Sequence, residues 1–123
     1  MDSMSETAPA KSKTEVREQE RAKLAELFKD FDANIRELVS GLIDDAAFLF
    51  SENWALIQIL EQTGMVKVHP THPEMQKTIP AAAQYRANEK AYANIIGKLA
   101  MIIQRSQGGD EDDDFDDFNE QFH

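Results

Sequence analysis

Cysteine is missing from this 123-residue chain. Its absence excludes a disulfide framework, a thiolate zinc site and a cysteine nucleophile, and it suits an intracellular protein. Long apolar runs are missing too, since none reaches the ~18 residues that a membrane span needs. The opening MDSMSETAPAKSK lacks the apolar stretch of a signal peptide, so it is expected to stay with the mature chain. Proline is scarce: of four in the chain, Pro70, Pro73 and Pro80 crowd into one short interval. Elsewhere the sequence is nearly clear of helix breakers, and helix is the expected form. The length bounds the chain to one domain. Its apolar share of 41% and charged share of 29% are ordinary for a helical chain.

Bases are missing from the last sixteen residues, which hold eight acids, so most of the net charge of −10 is a tail. Residues 1–29 balance six acids with six bases. Residues 30–63 hold seven acids against Arg36, and residues 64–107 hold six bases against Glu74 and Glu89. A basic arm or face can coexist with such a tail, so the overall acidity does not argue against nucleic acid.

Residues 1–12 show no apolar period and read as a disordered N-terminal arm. Ser12 and Glu15 have capping-box spacing, which predicts a helix from about Lys13. Its stripe runs Leu24, Leu27, Phe28, Phe31, Ile35, Leu38, Val39, Leu42 and Ile43, all at helical steps. Ser40-Gly41 is expected to break or bend it, because glycine costs about 1 kcal/mol in a helix interior. Asp44 or Asp45 then falls in the first turn of a second helix, where a negative charge suits the helix dipole.

That second helix, about Asp44 to Thr63, is apolar nearly all round, from Ala46, Phe48 and Phe50 through Trp54 and Ile57 to Leu60. Only a narrow strip through Ser51, Glu52, Gln58 and Gln62 is polar. A helix of this kind must be covered on nearly all sides. Two partner helices in so short a chain are expected to leave part of it bare, which calls for neighbouring subunits. Gly64 stands where a left-handed cap belongs. The segment to Thr78 is long for a structureless connection, and MVKV suits a short strand or hairpin arm. Pro80 restarts the helix at its first position. In this third helix Tyr85, Tyr92 and Leu99 recur at seven, as do Asn88, Ile95 and Ile102. This is a coiled-coil-like seam in which Asn88 sets register or subunit number.

Chemistry-bearing constellations are few. His69 and His72 lie in HPTHP, where two prolines oppose helix and only Glu74 is near, so no metal site is expected. No phosphate-cradling glycine loop is present, and QGGD lacks the lysine and strand-to-helix context of one. Asp44 and Asp45 do not face each other on a helix. No serine has a histidine partner. No catalytic residue, metal or cofactor is therefore expected, and the chain reads as a non-enzyme. Lys11, Lys13, Arg17, Arg21 and Lys23 form a dense basic set suited to phosphate contact, with Lys67 and Lys77 as a second set beside Arg86 and Lys90. Against this, Glu15, Glu18 and Glu20 are placed to neutralise the first set as a solvated face. In the tail, Phe115, Phe118 and Phe122 stand at steps of three and four, one side of a short helix that forms on docking.

The stretch from LIDDAAFLFSENWALIQILEQTGMVKV to the end of IPAAAQYRANEKAYANIIGKLA resembles the small terminase subunit of siphovirus-like tailed phages. The resemblance covers about half the chain. It rests on an ordered set: Asp44 or Asp45, an aromatic at Phe48 or Phe50, Trp54, Gly64, then Lys77 and Pro80 after a polar insert. It implies a non-enzymatic ring of helical hairpins that recognises double-stranded viral DNA and delivers it to the large subunit, the motor and nuclease, in the host cytoplasm. The expected architecture is all-α. A helical hairpin core of long antiparallel helices, residues 13–107, forms a ring-like homo-oligomer, with the arm before it and the acidic aromatic tail, 108–123, after it. Phe48, Phe50, Trp54, Ile57, Tyr85, Asn88, Tyr92, Ile95 and Leu99 are the candidate subunit contacts. Phe115, Phe118 and Phe122 are the candidate contacts to the large subunit, and no membrane partner is expected. The alternative is a helical scaffold or adaptor that binds only protein, its tail a docking or solubilising segment.

Overall fold

The computed structural model describes residues 11–107. Three helices make up most of it: α1 (Lys13–Glu26), α2 (Ala33–Thr63) and α3 (Pro80–Gln107). Between α2 and α3 stand two short strands, β1 (Val66–Val68) and β2 (Gln76–Thr78). The fold is thus mostly helical as expected, and the short arm expected at MVKV is one strand of this small hairpin.

The start of α1 follows its sequence signal. Ser12 Oγ accepts the Glu15 N–H at 3.1 Å while Glu15 Oε1 accepts the Ser12 N–H at 2.9 Å, so two otherwise unpaired donors are satisfied. The helix ends earlier than its apolar stripe suggests. Leu27, Phe28 and Lys29 each bond three residues back, which tightens the chain into a turn. Asp32 then caps α2, its Oδ1 accepting the Ile35 N–H at 3.0 Å.

The expected break at Ser40-Gly41 is not there. Ser40 Oγ donates to the Glu37 carbonyl at 2.8 Å, and a Cβ on Gly41 would meet nothing within 4 Å. Asp44 and Asp45 therefore sit in mid-helix rather than in a first turn. The turn at 27–32 escaped notice because Phe28 and Phe31 keep the apolar phase across it, their rings packing at 5.0 Å.

Gly64 closes α2 with φ 78° and ψ 173°, a positive φ that glycine adopts without steric cost. Its N–H bonds the Leu60 carbonyl at 2.7 Å, and the extended ψ directs the chain into β1. The strands pair antiparallel, with Val66 opposite Thr78, Lys67 opposite Lys77 and Val68 opposite Gln76. Pro80 opens α3 as its position predicts.

Leu24, Phe28, Val39, Ile43, Ala46 and Leu99 form the buried core, with Ile95, Ile96, Ile102 and Ile103 packed against it. The start of α2 thus meets the end of α3. At the opposite end Asn53 meets Asn88, so the two long helices are antiparallel. Helix α1 is antiparallel to α2 as well, since Lys13 reaches Glu52 and Arg21 reaches Asp44. It starts level with Glu52. Beyond that height α2, the hairpin and the first turns of α3 stand without it.

Candidate functional site

The core-facing stripe of α2 runs through Val39, Ile43, Ala46, Phe50 and Ile57, at steps of three, four and seven. Alongside α1 the first three are buried. Phe50, with Lys23 over its ring and Tyr92 at 5.9 Å, and Ile57 further along are 39% and 40% exposed. On another face of α2, Phe48 and Ile59 are also exposed, with Ala55 between them. The hairpin adds Met65, Val66, Val68 and Met75, all exposed. Exposed apolar residues thus run along upper α2 and the hairpin, while Leu27, Leu38 and Met101 are exposed at the other end. Trp54, on upper α2, is half-buried.

The heptad seam of α3 makes contacts inside the chain. Asn88 and Leu99 are buried. Asn88 Nδ2 donates to Asn53 Oδ1 at 3.0 Å, Gln84 Nε2 donates to Asn88 Oδ1 at 2.8 Å, and Asn53 Nδ2 donates to the Tyr85 carbonyl at 3.2 Å. Asn88 thus fixes the register of α3 against α2. Tyr92 donates to Glu20, and Ile95 packs on the core. Tyr85 is half-buried beside Asn53.

Sequence reasoning passed over Glu20, which is buried at 4% exposure. Its Oε2 accepts from the Tyr92 hydroxyl at 2.6 Å, and its Oε1 lies 3.1 Å from Lys23 Nζ. A buried carboxylate needs such partners. Burial, and then the neighbouring Glu20 carboxylate, push the Tyr92 phenol above its ordinary value of 10.0. The signal was present: Val16, Glu20 and Leu24 stand four apart on one face of α1.

The two basic sets differ in company. In the first, Lys13 pairs with Glu52 at 2.9 Å, Arg21 with Glu18 and Asp44, and Lys23 with Glu20. Lys11 donates to Gln19 at 2.8 Å. Arg17 has no ion pair among the described residues. The set is therefore largely neutralised by carboxylates of its own chain. The exposed pairs that reach α2, Lys13 with Glu52 and Arg21 with Asp44, contribute about 0–1 kcal/mol each, so they do not hold α1 in place. In the second set Lys67 and Lys77 are exposed register partners with no ion pair among the described residues. Arg86 and Lys90, one helical turn apart and exposed on α3, have none either. Lys67, Lys77, Arg86 and Lys90 thus carry positive charge that no described carboxylate pairs with, as do Lys11, Arg17, Arg36 and Lys98 elsewhere.

The histidines shape the hairpin loop. His69 Nδ1 accepts the backbone N–H of Thr71 and of His72, each at 3.2 Å, and His72 Nδ1 lies 3.6 Å from Glu74. Among the described residues no three His, Cys, Asp or Glu side chains gather as metal ligands. No helix among them is long and apolar enough to cross a membrane. Phe115, Phe118 and Phe122, and most of the expected arm, lie outside the described residues. No protein-family model matches the chain, and no curated protein or solved structure matches it either.

Proposed function

We propose that the chain is an oligomeric, non-enzymatic DNA-recognition subunit of viral genome packaging, of the small terminase kind. It gathers double-stranded DNA and passes it to a large ATPase and nuclease subunit in the host cytoplasm. The observation that carries this reading is the exposed apolar surface of upper α2. Among the described residues Phe48, Phe50, Ile57 and Ile59 are all exposed, a surface that suits contact with another copy. An assembly, with a ring as its simplest closed form, then repeats the cationic hairpin once per subunit. Weak phosphate contacts from each copy add multivalently.

The resemblance through Trp54, Gly64, Lys77 and Pro80 gives the assembly its role. The hairpin lies within the segment that carries it. Lys67 and Lys77 are the foremost phosphate contacts, with Arg17 and Lys11 beside the compensated Lys13, Arg21 and Lys23. Phe115, Phe118 and Phe122 serve the large subunit.

Duplex DNA titrated at rising salt tests the proposal. Affinity is expected to fall linearly in log–log form, because bound phosphates release counterions. One observation favours the rival adaptor that binds only protein: the carboxylates that neutralise α1. No binding of duplex at low salt, by an assembled sample, decides for the adaptor.

A further inference from the structure

Antiparallel pairing sends directly opposite side chains to the same face, and alternation along each strand extends that face. Lys67 faces Lys77 in register, and the His69 N–H bonds the Met75 carbonyl at 3.0 Å one step further on. Lys67, His69, Met75 and Lys77 therefore share one side of the hairpin. They line, with Pro70 and with the Val68 and Gln76 pair of the alternate face, an open cleft of about 430 Å³. That volume lies within the range of ligand clefts. Two like charges set directly opposite destabilise a strand pair. Here they stand beside the apolar Met75 and Pro70 in the same cleft, so the cleft asks for a ligand that is both anionic and apolar. A bare phosphate backbone meets only the first demand.

Residues 108–123 meet both, with eight acids, no base, and Phe115, Phe118 and Phe122 spaced among them. Reach decides whose tail it is. Helix α3, of 28 residues, separates the hairpin from residue 107 by about 42 Å. Sixteen residues drawn out straight span about 55 Å. Only the last few, around Phe122 and Glu120, can touch the hairpin of their own chain. The aspartate run 110–117 with Phe115 can meet only the hairpin of another copy. We infer that the cleft between Lys67 and Lys77 is a docking site for the acidic, phenylalanine-bearing tail of a second copy. Contact between copies through this site needs no DNA; where DNA or the large subunit is also bound, each displaces the docked tail, because the same lysines and phenylalanines serve both contacts.

The test is carbodiimide cross-linking of the full chain, mixed from heavy- and light-isotope copies, followed by mass spectrometry. The reagent joins lysines only to carboxylates in direct contact. Heavy–light links from Lys67 and Lys77 to residues 110–117 are expected, with Lys98, close to the start of the tail, as the proximity control. Links at Lys98 without links at the hairpin overturn the inference. So do hairpin links found only within single copies. If the hairpin lysines give no tail links and a DNA duplex shields them from the reagent, the cleft serves nucleic acid instead. A second measurement follows amide exchange at 66–78 in the Phe115→Ser/Phe118→Ser/Phe122→Ser chain. Exchange several-fold faster than in the parent is expected, and an unchanged rate contradicts the apolar part of the recognition.

Discussion

Lys13 and Glu52 meet at 2.9 Å, and their ion pair marks the height on α2 at which α1 begins. Alongside α1, the stripe of α2 is sealed between two helices of its own chain. Further along α2, Ser51 and Asn53 stay buried while Phe50 and Ile57 are partly exposed. The height at which α1 starts thus sets how much of α2 its own chain covers.

The base is held partly by a buried polar contact. Replacing Tyr92 with phenylalanine leaves Glu20 buried without its 2.6 Å donor. Hydrogen bonds to charged groups contribute about 1.5–3 kcal/mol, and urea unfolding of Tyr92→Phe is expected to show a loss of that order. The parent chain also carries a pH signature. The folded state keeps the Tyr92 proton where the unfolded state loses it, because the folded pKa is raised. This contribution is complete below about pH 10 and declines above it. Tyr92→Phe is expected to unfold with a shallower alkaline decline than the parent.

Asn53 and Asn88 form a linked pair. Asn88→Ala strips the donor from Asn53 Oδ1 and is expected to cost about 1–3 kcal/mol. Replacing both with leucine removes donor and acceptor together, so its cost is expected to fall below the sum of the two single leucine changes. A double-mutant cycle by chemical denaturation measures the coupling. Strict additivity would show that the two amides act independently.

Gly41 tests the continuity of α2. It lies in an unbroken helix with space around it. Gly41→Ala is expected to stabilise the chain by roughly 0.5–1 kcal/mol in urea unfolding. Gly64→Ala is expected to destabilise it, since φ there is 78°. A loss of stability at Gly41→Ala would show that the helix needs a bend at that point.

The hairpin lysines are expected to outweigh those of α1 in DNA binding. Lys67→Glu/Lys77→Glu should weaken duplex binding and flatten its salt dependence by about one unit of log–log slope per lysine. Lys13→Gln/Lys23→Gln should change it little, because both lysines already face carboxylates. The reverse order in a salt titration would return the contact to α1.

Much of this was legible in the residues. Ser12 with Glu15, Gly64 and Pro80 mark their boundaries because local hydrogen bonding and backbone geometry fix them without help from the rest of the chain. The break at Asp32 was hidden, since a turn that carries Phe28 and Phe31 in phase looks like continued helix. The seam on α3 was visible, but periodicity does not say whether its partner is the same chain or another. Asn88 and Leu99 face α2 and the core, and their pattern would be the same in a subunit contact. Charge pairing across helices, as in Arg21 with Asp44, depends on packing and was only partly foreshadowed by the neighbouring glutamates. The functional site divides likewise: the hairpin arm and its lysines could be named, while the register that sets Lys67 against Lys77 needed the fold.

Sedimentation velocity on a dilute sample tests the central claim most directly. A compact particle of several chains is expected, and Ile57→Asp/Ile59→Asp should reduce it to single chains with helical content retained. A parent chain that sediments as a stable, compact monomer would contradict the account.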